Sequence, residues 1–192
     1  MDLRILVLAG QYGLRADKRF SHRFQVLASH AYSSNTGNNN GNGFNLDNWL
    51  QKRGPLPTDF TQLVNLAGVT QLPGRFELGL NFSYSSAPPF NAFIGGIDFN
   101  GDGTINDLLP GTTLGEFNRG LGRAALVRLV DQFSQTYAGT TDPHGRAIPH
   151  LALPDRCALD NNFHSLDLRL SRSFVYRERW RLSLIGEVFN WP

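Results

Sequence analysis

Alternation constrains this chain more than any other feature. In RFELGLNFSYS, Phe76, Leu78, Leu80, Phe82 and Tyr84 fall at every second position, with Glu77, Gly79, Asn81, Ser83 and Ser85 between them. Successive side chains of a strand point to opposite faces, so a strict period of two gives a ribbon with one apolar and one polar face. SLDLRLSRSF repeats the pattern: Leu166, Leu168, Leu170 and Phe174 alternate with Ser165, Asp167, Arg169, Ser171 and Ser173, and Arg172 breaks the apolar row near its end. HRFQVLASHAY puts Phe24, Val26, Ala28 and Tyr32 on one face, with His30 among them. YGLRADKRF sets Tyr12, Leu14, Ala16 and Phe20 against Arg15, Asp17 and Arg19. WRLSLIGEV sets Trp180, Leu182, Leu184 and Val188 against Arg181, Ser183 and Glu187, and LVNLAGVTQL is a weaker case.

These segments predict about six strands of about ten residues, in pairs near residues 4–33, 60–86 and 163–190. Short connections join each pair, at Ser21, at Pro73-Gly74 and at Arg177. Long polar segments, residues 34–59 and 87–162, separate the pairs. A soluble sandwich buries its apolar face between sheets. A membrane barrel turns that face to lipid and lines its lumen with polar residues. Short turns on one side, long loops on the other and strands of about 9–11 residues favour the barrel. Phe20, Tyr32, Tyr84, Phe174 and Trp180 lie near strand ends, where interfacial girdles form. Glu77, Asp167, Arg169 and Glu187 fall on the polar faces, which suits a wet lumen better than a soluble core. The predicted class is therefore all-β: an antiparallel transmembrane β-barrel fragment with long extracellular loops.

One loop carries a helix. In GRAALVRLVDQFSQTYAG, Leu121, Ala125, Leu129 and Phe133 recur four apart beside Leu126 and Val130, with Arg123, Arg128, Asp131 and Gln135 for the polar side and Gly139 as a stop. The remaining composition narrows the function classes. The formal charge is +2 over 192 residues and no basic block occurs, so nucleic acid is not an expected partner. Cys157 is the only cysteine, which rules out an internal disulfide and a cysteine-based metal cluster. The apolar stretch Ile5–Ala9 is shorter than a secretory h-region of about 7–15 residues, and Gln11 stands where a lipoprotein signal needs cysteine. That segment reads as part of the fold.

The ordered set YGLRADKRFSHRFQVLASHAYSSNTG, LPGRFELGLNFSYSSAPPF, DFNGDGTINDLLPGTT, EFNRGLGRAALVRLV and SLDLRLSRSFVYRERWRLSLIGEVFN resembles the last part of the barrel of TonB-dependent outer-membrane receptors, the Oar-like branch in particular. The resemblance runs from about Gln11 onward. It implies an outer-membrane transporter of a Gram-negative bacterium that takes up a bulky nutrient through a many-stranded barrel filled by a plug and driven by the TonB complex. The plug, the TonB box and most strands of that pattern are missing from this sequence. The expectation is a barrel fragment, inactive alone, whose partners are outer-membrane lipid and the missing plug and strands, with the TonB complex reached only through the absent N-terminal part.

GGIDFNGDGTINDLLPG opens like a calcium loop. Counting from Asp98, positions one, three, five and six are Asp98, Asn100, Asp102 and Gly103. Position twelve, which needs a bidentate carboxylate, is Leu109, and Asp107 comes two residues early. No helix precedes the loop, so an EF-hand is not expected. Two readings stay open: a looser calcium site on Asp98, Asn100, Asp102 and Asp107, or a turn rich in Asx and glycine held by side-chain-to-backbone hydrogen bonds. His22, His30, His144, His150 and His164 form no ligand spacing, and His144 and His150 read as solvated loop residues. No nucleophile or phosphate-binding motif occurs, so no catalytic residue is assigned and the chain is not expected to be an enzyme. Asp167 and Glu187 read as cross-strand partners of Arg169 or Arg181. Substrate contacts are expected in the long loops, with Asn45, Asp47 and Trp49 as candidates. The alternative function is a soluble or secreted β-module with a calcium-stabilised binding loop.

Overall fold

Wherever the sequence alternates, the chain is strand. The structure, a computed structural model, describes residues 2–8, 11–38, 53–105, 107–155, 157, 159–177 and 179–191. In chain order its elements are β1 (Asp2–Leu8), β2 (Gln11–Ser21), β3 (Phe24–Ser33), β4 (Thr36–Gly37), β5 (Gly54–Pro55), β6 (Gln62–Leu72), β7 (Phe76–Ser85), β8 (Phe93–Ile94), β9 (Asp107–Leu108), α1 (Arg123–Tyr137), β10 (Phe163–Tyr176) and β11 (Trp180–Trp191). They form two compact units: Met1–Ser34, Phe60–Ser86 and Asn162–Pro192 in the first, Asn35–Asp59 and Ala87–Asn161 in the second.

The first unit is one antiparallel sheet of seven strands, ordered β1-β2-β3-β6-β7-β10-β11. The alternation predicts about six. The added strand is β1, paired with β2 from Asp2↔Asp17 to Leu8↔Gln11. Its sequence DLRILVL is apolar at adjacent positions, so period two does not single it out. The sheet is open, with β1 and β11 at its edges.

Register turns the separate apolar rows into one face. Val26 lies opposite Gly68, Gly68 opposite Leu80, Leu80 opposite Leu168, and Leu168 opposite Val188. The next row toward the turns runs Phe24, Thr70, Leu78, Leu170 and Gly186. The other face carries rows such as Arg15, Ser29, Asn65, Ser83 and Ser165. On that face Arg169 faces Glu187 at 3.6 Å, the cross-strand pair the sequence predicts. Asp167 does something else. A bulge between Leu166 and Leu168 leaves Phe189 and Asn190 opposite it, and its Oδ1 accepts the Asn190 amide at 2.9 Å.

The apolar face is not a core. No residue of β2, β3, β6, β7, β10 or β11 is buried, and Leu182 and Leu184 are 60% and 57% exposed. Aromatic side chains mark both ends of that face. Tyr12 stacks on Tyr32 with ring centroids 5.3 Å apart at the loop end, and Phe24, Phe76 and Phe174 stand at the turn end. Tyr84 and Phe76 are eight residues apart on β7, about 26 Å along a strand at ~3.3 Å per residue.

The second unit holds the buried hydrophobic residues. Ile94, Ile97, Leu109, Phe117, Ile148 and Leu159 pack around Leu126, Val130 and Phe133 of α1. These three helical positions recur at spacings of four and three, which aligns them on one side of the helix. Leu121 and Leu129 lie partly buried against the same cluster, while Arg123, Arg128, Asp131 and Gln135 are exposed, as the sequence stripe predicts. Ala138 leaves helical geometry and Gly139 takes φ +82°, a conformation glycine adopts without a Cβ penalty.

A buried ion pair ties the segments of this unit together. Asp59 is 1% exposed, and Arg119 Nε donates to its Oδ2 at 2.7 Å. The same guanidinium donates to the carbonyls of Asp59, Ala87 and Asn118, while Asp59 Oδ1 accepts the Asn35 amide. One charge pair thus joins residues near 35, 59, 87 and 119. Removing the cation leaves a buried carboxylate unpaired, which costs about 3–5 kcal/mol. Arg119→Met is therefore expected to unfold the second unit selectively. Amide exchange should rise across α1 and leave β6 and β7 protected, and equal loss of protection in both units would contradict this.

Candidate functional site

Phe99 anchors the acidic loop from inside. Its ring lies 5.3 Å from the Phe133 ring and 5.0 Å from the Tyr137 ring, both on α1. The chain around it, from Asp98 to Asp107, therefore folds back over a fixed point, and β9 closes the loop by pairing Asp107 with Ile94 of β8. Gly101 and Gly103 take φ +76° and +82°, the two left-handed positions the reversal needs.

Backbone amides converge on the carboxylates inside. Asp98 Oδ1 accepts the amides of Gly101 at 2.8 Å and Asp102 at 3.1 Å, and Oδ2 accepts Gly103 at 2.9 Å. Asp107 Oδ2 accepts the amides of Phe99 at 2.6 Å and Asn100 at 3.2 Å. Asp102 Oδ1 accepts the Thr104 amide and hydroxyl at 2.9 and 2.6 Å. Asn100 Oδ1 accepts the Asp102 amide at 2.8 Å. This is the Asx-rich turn of the sequence reading, made explicit.

The turn also gathers charge. One oxygen each of Asp98, Asp102 and Asp107 lies within 4.8 Å of the others, with Asp98 2% and Asp107 5% exposed. The partner is an exposed loop residue, as the sequence reading has it, but one that also reaches the acidic turn. His144 Nε2 lies 2.9 Å from Asp98 Oδ2. A second turn presents it: Asp142 Oδ1 accepts the amides of His144 and Arg146 at 2.9 and 2.8 Å, and Arg146 Nε donates to Asp142 Oδ2 at 3.1 Å. His144 is 46 residues from Asp98, so spacing gives no hint of the contact; the local signal is the Asp-Pro-His-Gly-Arg turn itself.

The three buried carboxylates titrate differently. The His144 side chain and the amides of Gly103, Gly101 and Asp102 outweigh burial and hold the Asp98 carboxyl below its ordinary value. Burial acts against the Asp142 charge, but the amides of Arg146 and His144 and the Arg146 guanidinium prevail and lower it. Burial pushes Asp107 up, and the Asp102 and Asp98 charges add to that, against the amides of Asn100 and Phe99.

An all-oxygen donor set of carboxylates and a carboxamide suits a hard cation such as calcium. Asp98, Asn100, Asp102 and Asp107 are the residues that would hold it. Leu109, the twelfth position, is 2% exposed within the hydrophobic cluster and offers no ligand. Asp98 already accepts four protein hydrogen bonds, which matches the acceptor capacity of a carboxylate. A cation binding Asp98 would compete with these four donors.

The other sequence candidates are dispersed. Asn45, Asp47 and Trp49 lie outside the described residues. His150 is exposed, and Cys157 Sγ receives Arg123 Nη1 at 3.2 Å. His30 sits on the sheet, its Nε2 2.6 Å from Gln62 Oε1. Comparison with family models, curated proteins and solved structures finds no match.

The signs of the carboxylate shifts predict a pH profile. Asp98 and Asp142, lowered on folding, add stability above the unfolded value of about 4 and lose it as pH falls through their folded values. Asp107, raised on folding, acts in reverse: its contribution is present below about 4 and is lost as pH rises through its folded value. Asp107→Asn keeps an acceptor for the Phe99 and Asn100 amides and removes the charge. In chelator, this variant should melt higher than the parent chain at pH 7 and alike at pH 3 by calorimetry. A lower melting point at pH 7 would mean the carboxylate is stabilising as an anion.

Proposed function

We propose that this chain is part of the barrel of a TonB-dependent outer-membrane transporter that takes up a bulky nutrient. One observation carries the reading: a largely apolar face across β2, β3, β6, β7, β10 and β11, interrupted at Lys18, His30, Thr70 and Arg172, with no buried residue in any of these strands. Water makes such a face costly and lipid does not. The polar rows opposite suit an aqueous lumen. The aromatic ends are separated by about 26 Å along the strand, comparable with the ~25 Å apolar band of outer-membrane barrels.

The open edges bear on the partner. Six successive antiparallel pairings make β1 and β11 run in the same direction. They cannot pair antiparallel with each other, so antiparallel closure takes an odd number of further strands. Seven plus an odd number is even, the rule for bacterial single-chain barrels. Edge amides have no partner in lipid, so the sheet alone does not transport. In this reading its partners are outer-membrane lipid and the strands and plug of a parent receptor. The TonB complex acts through that parent, and nucleic acid has no role. The second unit forms from the long segments on the extracellular side.

Leu80→Arg tests the lipid-facing row. A cation near the bilayer midplane costs about 2–4 kcal/mol. In fractionated cells of the source organism, an antibody to DFNGDGTIND should find the parent product in the outer membrane, far above 21.4 kDa. The variant should be depleted there. A band near 21.4 kDa in a soluble or secreted fraction, unchanged by Leu80→Arg, would overturn the reading.

That second result would favour a secreted β-module with a calcium-stabilised loop. The supporting observation is three clustered carboxylates with a single imidazole in contact with one of them. Calcium should then raise the melting temperature of the second unit, and His144→Ala should tighten the response by clearing Asp98. Identical melting in calcium and in chelator for both proteins would remove the metal from consideration.

A further inference from the structure

The acidic loop carries two reactive pairs side by side. Asn100-Gly101 is followed at once by Asp102-Gly103, the chain's one Asp-Gly pair, and all four residues are exposed to water. A glycine after Asn or Asp has no side chain to block the approach of its own amide nitrogen to the preceding Cγ. At Asn100 that attack forms the bond from Gly101 N to Cγ, breaks the bond from Cγ to Nδ2 and releases ammonia, which carries away the amide proton. Water then opens the cyclic imide at either carbonyl, leaving aspartate or isoaspartate. At Asp102 the same ring closes with loss of water and reopens to aspartate or isoaspartate. Water is the only co-reactant.

Both reactions use a glycine amide as nucleophile, and one carboxylate occupies both amides. Asp98 Oδ1 accepts the Gly101 N–H at 2.8 Å, and Asp98 Oδ2 accepts the Gly103 N–H at 2.9 Å. An N–H donated to an anion is harder to deprotonate, and the bond holds its nitrogen in place. Asp98 is itself fixed: it is 2% exposed, accepts the Asp102 amide at 3.1 Å and lies 2.9 Å from His144 Nε2. The Asn100 carboxamide is held as well. Its Oδ1 accepts the Asp102 amide at 2.8 Å, and its Nδ2 donates to Asp102 Oδ2 at 3.4 Å.

We propose that Asn100 and Asp102 are latent modification sites and that Asp98 is the lock that keeps both unmodified. Release of that carboxylate opens them to conversion. At Asn100 the product adds a carboxylate beside the three already clustered, and isoaspartate at either position lengthens the backbone by a methylene inside the turn. The lock ties the chemical lifetime of the loop to its fold. It operates in a barrel segment and in a secreted module alike.

The test follows both conversions in the full chain at neutral pH, against the same chain unfolded in denaturant. Asn100 is read by the mass change of amide to acid, and isoaspartate at both sites by its specific carboxyl methylation, located by peptide fragmentation. The folded chain should convert at least about tenfold more slowly at each site, the effect of one hydrogen bond to a charged group. Amide exchange at Gly101 and Gly103 should slow alongside, since both processes need the N–H free. Asp98→Ala should bring both sites close to the unfolded rate. Asp98→Asn keeps one acceptor oxygen in place of two, and the two glycines sit on different oxygens, so it should open one site and leave the other protected. Thr104→Val, which takes a hydroxyl from Asp102 and leaves Asp98 untouched, should change neither. Conversion of the folded chain at the unfolded rate, protection that survives Asp98→Ala, or equal opening of both sites by Asp98→Asn would each overturn the lock. If Asp98→Ala also strips amide protection from α1, Asp98→Asn decides alone.

Discussion

Cross-strand register is the constraint on which the first unit depends. Each strand brings its own apolar row, and only the pairing makes Val26, Gly68, Leu80, Leu168 and Val188 neighbours. A slip of one residue anywhere would send an entire row to the opposite face. The bulge at Asp167 is the one place among β10 and β11 where the count changes, and the carboxylate caps the amide that the bulge leaves without a ladder partner. The aromatic ends and the groove over Gly68 are consequences of that alignment.

The second unit is held differently. Its stability comes from burial around Phe117, Ile94 and Leu126, and three of its buried carboxylates have a side-chain partner. Asp59 meets Arg119, Asp142 meets Arg146 and Asp98 meets His144. Asp107 has amides alone, and its raised carboxyl reflects that difference. Phe99 links the two halves of this design: it lies between two polar residues of the acidic loop and packs, partly buried, against the hydrophobic cluster and α1.

Much of the sheet was legible because period two is a local signal. β7 and β10 could be read residue by residue, including the break at Arg172. β1 could not, since its apolar residues adjoin one another and only pairing with β2 identifies it as strand. The helix was legible for the same reason as β7, a single period along one segment. The contacts of the acidic loop divided along the same line. Asx side chains reach amides two to five residues away, so the turn was foreseeable. His144 and the Asp59–Arg119 pair join residues 46 and 60 positions apart, and no local pattern encodes such a meeting.

By itself the sequence determined which face of each strand is apolar, where the helix lies and which residues fold the Asp98–Asp107 turn, because these follow from side-chain alternation, helical spacing and short-range hydrogen bonding. The tertiary structure alone decided that the apolar rows join into one unburied surface, that this surface hollows at Gly68, and that an imidazole stands over Asp98. Those outcomes depend on register and on contacts between distant segments, which only the folded chain brings together.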